Sequence, residues 1–415
     1  MARKWSHNQR RFTDQQWLED LYFMVNSMKH IHPNLFHAVP EGTFQNEVAS
    51  LTEAIPDLTD HEVIVGLLKL TALTRDWHTQ IISRNLTERW FPVRIEQLRD
   101  GLFIVATSPE YAQYMGSSVI RIGNFSAEAA FDRIQTATAH DNLYSQRYFA
   151  SMLLCMPSIL NGLHIIDDIN ELKLEIQPSV RDQMEVNISA EEFESDDDLS
   201  WFWQKEAAPA KECVTVALST GSLPLYWKHT NRYYWFEFLE SCKAVYLGFN
   251  MTLNEETESF SAFNIRLWDL VDRQAVDRLV VDLRHNIGGD NDILPPLFEG
   301  ILEHDRINRP GGLFVLIGPK NVSASSHCAA WFEKMTPATF VGEPTGARPN
   351  QYADPEHLRL PNSQLRLMVS KRYWLNDSTH IERQWIEPHI LARFNSTDYF
   401  NLRDPAMEKV IDFFK

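Results

Sequence analysis

Three serines crowd one junction in Leu313-Phe-Val-Leu-Ile-Gly-Pro-Lys-Asn-Val-Ser-Ala-Ser-Ser-His-Cys. An unbroken apolar run there reads as a buried strand that turns into a helix beginning near Ala324. A serine at such a junction lies beside helix N–H groups that lack intrahelical partners and beside the positive end of the dipole. An attacking alkoxide and the oxyanion it creates are both favoured at that place. Two readings are open: Ser323 is a nucleophile, or Ser323, Ser325 and Ser326 merely cap the helix. A second stretch, Val280-Val-Asp-Leu-Arg-His-Asn-Ile-Gly-Gly-Asp290, ends a strand in a turn with Gly288 and Gly289 adjacent. Without a Cβ, such residues let backbone N–H groups reach a phosphate or an oxyanion. A plain tight turn explains them equally well. A third, Asp76-Trp-His-Thr79, offers His78, an imidazole of the kind that accepts protons near neutrality. The chain has 15 histidines, and spacing alone does not connect His78 with the serines.

Residues 14–90 read as helical. Trp17, Leu18, Leu21, Met24, Val25 and Met28 recur at helical spacing until His32-Pro33 stops the run. A second helix is expected over 43–54, and a third after Leu58-Thr-Asp-His-Glu, leading into a strand with Ile81 and Ile82. Residues 91–192 mix strands at 92–96, 102–107, 118–122 and 172–177 with helices near 127–136 and 143–161, which describes a small α+β module. The acidic run from Glu191 to Asp198 reads as the start of a solvated linker over 193–239. From 240 onward, strand-like runs at 243–249, 278–283, 312–317 and 338–341 alternate with helical runs near 258–273, 291–304 and 325–335. Phe260, Phe263, Leu267 and Leu270 give the first of those helices its apolar stripe. That alternation predicts a layered α/β domain, so the fold class is multi-domain α/β.

At 415 residues the chain is long enough for several domains. A net charge of −17 leaves no basic stripe for phosphates and argues against a nucleic-acid partner. Eighteen apolar residues never run together, so no membrane span is expected, and without a leader-like start the expected location is cytoplasmic. Cys155, Cys213, Cys242 and Cys328 are widely spaced, and no ligand cluster suggests a metal or cofactor.

Two loops complete the set: Gly342-Glu-Pro-Thr-Gly-Ala-Arg-Pro-Asn350, and Ile381-Glu-Arg-Gln-Trp-Ile-Glu-Pro-His-Ile390 after the alternating strand Leu365 to Trp374. Together the five segments resemble the tail-specific (C-terminal processing) protease and tricorn-core family over roughly residues 14 to 395. Asp282-Leu-Arg-His-Asn-Ile-Gly-Gly is similar to its DLRxNxGG element, Asn321-Val-Ser-Ala-Ser-Ser to its nucleophile turn, Gly342-Glu-Pro-Thr-Gly to its GEPTG loop and Asp76-Trp-His-Thr to its DxHT segment. The resemblance implies that the nucleophile is Ser323 rather than Ser325. It also implies a helical part over 1–90 carrying the base His78, a PDZ-like module over 91–192, and a crotonase-like ββα core over 240–415. The family's Ser–Lys branch would place its lysine in the Gly342–Asn350 loop, where Arg348 stands, and a guanidinium does not deprotonate. The tricorn-like branch, with a histidine base, is therefore the one implied. Its triad here would be Ser323, His78 and Glu382, with Glu387 and Asp76 as rival acids, and the oxyanion hole would use the amides of Ala324 and of Gly288 or Gly289. The implied activity is hydrolysis of peptides or unfolded proteins through an acyl-enzyme. A binding protein on the same fold, an esterase and a peptide-binding scaffold are the alternatives.

Overall fold

The apolar runs that lack alternation, Ala244–Phe249, Arg278–Asp282 and Leu313–Ile317, lie side by side in a six-stranded sheet of the computed structural model. The structure describes residues 10–82, 89–179, 182–192, 214–215 and 223–414. The strand order is Tyr234–Leu239, Ala244–Phe249, Arg278–Asp282, Leu313–Ile317, Thr339–Gly342, Ile390–Leu391. Only the first pair is antiparallel. Ala244–Phe249 and Leu313–Ile317 are buried at every position, which is why they read as continuous rather than alternating. Helices Phe260–Arg273, Pro295–Glu303 and Ala324–Met335 connect the parallel strands, and Phe260, Phe263 and Leu267 are buried as their stripe predicts. Asp282 is level with Leu316 across neighbouring strands, so the glycine turn and the serine turn leave the same end of the sheet. In open α/β sheets the functional crevice forms beyond the carboxyl ends of the strands.

A second, antiparallel sheet contains Val93–Leu98, Gly101–Thr107, Ser118–Ile122, Glu171–Gln177 and Met184–Ser189. The helix expected over 143–161 is two helices, Leu143–Leu153 and Pro157–Gly162, because Pro157 cannot donate its backbone nitrogen to a continuing helix. The N-terminal helices Asp14–Ile31, Glu41–Ala54 and Asp60–Ala72 share one apolar core with this sheet. Thr13 with Gln16 and Thr59 with Glu62 form capping boxes that set two of the helix starts.

A third, small sheet ties the parts together. Gln80–Ile81 pairs with Arg366–Trp374, whose hairpin partner is Gln351–Arg359. At the hairpin tip the amides of Asn362 and Ser363 donate to the buried Asp20 carboxylate at 2.8 and 2.9 Å. A hairpin of the C-terminal core thus reaches the first helix, and on the way it holds the segment that carries His78.

The stretch 193–239, expected as a linker, differs in its described part. Tyr234–Leu239 is the outermost strand of the core sheet, in register from Tyr234↔Phe249 to Leu239↔Ala244. Its aromatics explain this, since Tyr234 is buried and Phe236 packs on Phe263 at 5.3 Å. Val214–Thr215 adds to the antiparallel sheet beside Gly101–Thr107. Residues 193–213 and 216–222, with most of the acidic run, lie outside the described residues.

Candidate active site

Ser323 occupies the N-cap of Ala324–Met335 with φ 54° and ψ −137°. A positive φ on a non-glycine residue costs on the order of 1–3 kcal/mol and persists only where its surroundings enforce it. Here Gln351 does so from both sides. Its Oε1 accepts from the Ser323 amide at 3.2 Å, and its Nε2 donates to the Ser323 carbonyl at 3.2 Å. The Ser323 hydroxyl makes no capping bond and has no partner among the described residues. The neighbouring serines are occupied, since Ser325 Oγ accepts from Asn321 Nδ2 at 2.9 Å and Ser326 Oγ donates to the Arg348 carbonyl at 3.2 Å. Of the three hydroxyls, Ser323 alone is left for chemistry.

The glycine turn presses on this serine. A Cβ on Gly288 would stand 2.6 Å from Ser323 Cβ and 3.0 Å from the Ala324 nitrogen, and one on Gly289 would stand 2.1 Å from the Thr252 carbonyl oxygen. Both positions require glycine. The Gly288 amide donates to Asn286 Oδ1 at 2.8 Å, whereas the amides of Gly289 and Ala324 have no partner among the described residues. Asn321 bridges the two turns, accepting from the Gly318 amide at 2.7 Å and donating to the Leu283 and Asn286 carbonyls. Behind them Arg284 forms a buried bidentate pair with Asp404 at 2.7 and 2.8 Å and bonds Asp282 at 2.6 Å. That network ties the Asp-Leu-Arg turn to the helix Pro405–Asp412.

His78 is buried at 4% exposure, between the end of Asp60–Ala72 and the strand Gln80–Ile81. Burial pushes its pKa below the ordinary value, against the pull of Asp76, a hydrogen bond to the Tyr352 backbone and Asp354. Tyr352 follows Gln351, so one strand start touches both the serine and the histidine. His78 Nδ1 is buried without a hydrogen-bond partner. Trp77 meets the His78 ring edge-on at 4.9 Å and stacks on Phe149 at 5.2 Å, walling one side.

Asp76 holds the backbone amide of His78 rather than its imidazole. Its Oδ1 accepts from the His78 amide at 2.9 Å, and its Oδ2 accepts from Thr79 Oγ1 at 2.6 Å and from His32 Nε2 at 3.2 Å. The His32 tautomer follows, because its Nδ1 already accepts from the Asn34 amide. Burial works to raise Asp76, yet the His32 bond and the nearby His78 outweigh it and hold the carboxyl below its ordinary pKa. Asp141, whose Oδ1 accepts from the Trp77 amide at 3.3 Å, is pushed up to about 8 by burial and by the charge of Asp76.

Ser323 and His78 are thus both tied to the start of Gln351–Arg359, with Gly288 against Ser323 and Ala324. Glu382 is not joined to them. It is exposed, and its carboxylate has no bonded partner among the described residues. Glu387 is also exposed and accepts from Trp385 Nε1. Arg348, in the position of the alternative lysine, donates to the Asp141 carbonyl at 3.4 Å. Two residues beyond the sequence reading belong to the site. Gln351 is one, with nothing in its spacing to mark it. His327 is the other, one helical turn past Ser323, where its position on the nucleophile helix was the available signal.

No protein-family model matches the sequence, and no curated protein matches it. Solved structures do. Mature CPAF complexed with lactacystin superposes with a TM-score of 0.66 at 11% identity, over 97% of this chain and 98% of that one. The chain shares the fold of CPAF. A point mutant of CPAF gives 0.68 at 10% identity, over 97% of both chains, so the likeness spans the helical part, the antiparallel sheet and the parallel core together. The multi-domain α/β class expected from the sequence is the class observed. Among the described residues no helix is long and apolar enough to cross a membrane.

Proposed function

We propose that the chain is a serine peptidase of the tail-specific protease type, in its histidine-base, tricorn-like branch. The observation that carries this reading is Ser323: an unbonded hydroxyl on a strained, clamped N-cap residue, beside the free Ala324 amide and against a glycine turn. In the reaction, His78 takes the Ser323 proton as the hydroxyl attacks a peptide carbonyl, and the oxyanion is held by the amides of Ala324 and Gly289. Gly289 is preferred to Gly288 because the latter's amide already serves Asn286. His78 then protonates the leaving amine, and water deacylates the serine. Its lowered pKa keeps the base neutral and competent at neutral pH. Asp76 is proposed to position the His78 loop. Glu382 as the third triad member requires its carboxylate to move to His78 Nδ1 when substrate binds.

On this reading 1–90 supplies the base, 91–192 is a PDZ-like peptide-binding module and 240–415, with Tyr234–Leu239 added, is the catalytic core. The substrate is a peptide or an unfolded protein, and no metal or cofactor enters the mechanism. The test is mass-spectrometric cleavage of a mixed peptide library by wild type and Ser323→Ala. Cleavage by wild type alone supports the proposal. Equal cleavage by both removes Ser323 from the chemistry, and no cleavage by either favours a binding protein on this fold.

A further inference from the structure

A cavity of about 120 Å³ opens between three parts of the fold: the turn after Val93–Leu98, the helix Leu143–Leu153 and the carboxyl end of Leu313–Ile317. It has room for about four waters, at ~30 Å³ each. Neither Ser323 nor His78 lines it. Its charge sets it apart. The chain as a whole carries −17, yet Arg99, Arg147, Arg284, Lys320 and Arg393 all line this one space. Against them stand only the carboxylates of Glu96 and Glu343.

Both of those carboxylates are already engaged. Glu343 holds Arg393 at 2.7 Å, and Glu96 is matched by Arg94 at 3.3 Å. Arg284 is neutralised from behind by Asp282 and Asp404 at 2.6 and 2.7 Å. Arg99 and Arg147 are exposed and have no carboxylate within ion-pair distance among the described residues. Lys320 lies deeper, at 5% exposure, with its Nζ 3.5 Å from His285 Nδ1 and 5.3 Å from the centre of the Tyr148 ring. His285 Nε2 donates to the Tyr226 carbonyl at 2.8 Å, so its Nδ1 is an acceptor and the ring is neutral. These two contacts hold the ammonium in place without cancelling its charge.

A buried ammonium and two arginines lining one small space suit a multiply charged anion. Guanidinium forks match phosphate oxygens in pairs, and a lysine adds a point charge. A lone carboxylate brings a single charge, whereas a phosphate monoester brings nearly two and three acceptor oxygens. Tyr144 and Tyr148, one helical turn apart, add aromatic wall beside Arg147.

We propose that this cavity binds a phosphate group, with Lys320 at its floor and Arg99 and Arg147 at its mouth. The group is inorganic phosphate or the phosphate of a small aromatic monoester whose ring packs on the tyrosines. The proposal goes beyond the peptidase reading and does not depend on it. Lys320 stands three residues before Ser323, and Arg99 belongs to the antiparallel sheet. A bound phosphate therefore ties that sheet to the nucleophile turn.

The test is isothermal titration calorimetry on the full chain at about pH 8, where phosphates are dianions. Inorganic phosphate, phenyl phosphate, acetate and benzoate are titrated separately. Saturable binding at millimolar concentration or below is expected for one or both phosphates, roughly tenfold or more tighter than for the matching carboxylate. Tighter binding of phenyl phosphate identifies an aromatic monoester, and otherwise the ligand is inorganic phosphate. Arg99→Ala and Arg147→Ala are each expected to weaken binding roughly tenfold or more, and Arg306→Ala, in the loop leading into Leu313–Ile317, to leave it unchanged. Lys320→Met is expected to abolish binding; should its burial cost the fold, the two exposed arginines still decide the matter. No saturable binding of either phosphate overturns the proposal, as do carboxylates that bind equally well. Binding unaltered in both Arg99→Ala and Arg147→Ala, or weakened as much in Arg306→Ala, overturns it too, because the anion would then sit elsewhere.

Discussion

Replacing Gln351 by leucine removes both bonds that hold Ser323 and leaves side-chain volume nearly unchanged. Each bond contributes about 0.5–1.5 kcal/mol net, so the pair stabilises the Ser323 conformation by about 1–3 kcal/mol. The positive φ of Ser323 opposes them by a similar amount, on the order of 1–3 kcal/mol. With the clamp gone, the strained backbone loses the interactions that offset its cost, and the productive arrangement becomes a minority conformer. At about 1.4 kcal/mol per factor of ten, acylation is expected to slow by roughly 5- to 100-fold. The change should fall on kcat rather than KM, since Gln351 contacts the nucleophile's backbone. The assay is the rate of covalent labelling of Ser323 by a fluorophosphonate probe, which needs no knowledge of the substrate, followed by steady-state kinetics on a library-derived peptide. Gln351→Glu keeps an acceptor for the Ser323 amide but sets a second acceptor against its carbonyl, so it should be impaired at least as much. Labelling of Gln351→Leu within about twofold of wild type refutes the reasoning, because the clamp would then have no bearing on the nucleophile.

Ser323→Gly is expected to abolish labelling while raising the melting temperature above that of Ser323→Ala, because glycine relieves the positive φ at a gain of about 1 kcal/mol; equal melting temperatures would show that the residue is not strained. Asp76→Asn is expected to reduce kcat more than Glu382→Gln, since Asp76 holds the His78 amide, Thr79 and His32 whereas Glu382 is exposed; the reverse order in steady-state kinetics would make Glu382 the orienting acid. The lowered pKa of His78 predicts a labelling rate that rises with pH, with its midpoint below that of an ordinary imidazole, and is level by neutrality; a midpoint above the ordinary value contradicts the buried base. Asp141, raised to about 8, keeps a proton that the unfolded chain has lost between roughly pH 4 and pH 8. Its contribution to stability is full below that window and falls as pH rises through it, by at most about 1.4 kcal/mol per pH unit. Asp141→Asn should therefore flatten the pH dependence of the melting temperature across the window, and an unchanged slope would place the titration elsewhere.

Local patterns made much of this molecule legible. The unbroken apolar runs at 244–249 and 313–317 are buried on both faces, and the stripe of Phe260, Phe263 and Leu267 lies against the sheet. Both are consequences of how side chains repeat along a strand or a helix, so a few residues in sequence suffice to show them. Tyr234–Leu239 was missed because its aromatic alternation lay next to a stretch read as linker, and only its pairing with Ala244–Phe249 makes it a core strand.

What the sequence by itself determined was the chemistry on offer: a serine at a strand-to-helix junction, a double-glycine turn on the next strand and a histidine after a helix. Only the tertiary structure decided among the three serines, because Asn321 and the Arg348 carbonyl occupy Ser325 and Ser326 and leave Ser323 open. It also brought the His78 segment and that serine to one hairpin, whose start clamps Ser323 and whose return strand pairs with Gln80–Ile81. These choices rest on hydrogen bonds and burial between segments far apart in the chain. Residue spacing records the local backbone repeat and carries no trace of such contacts.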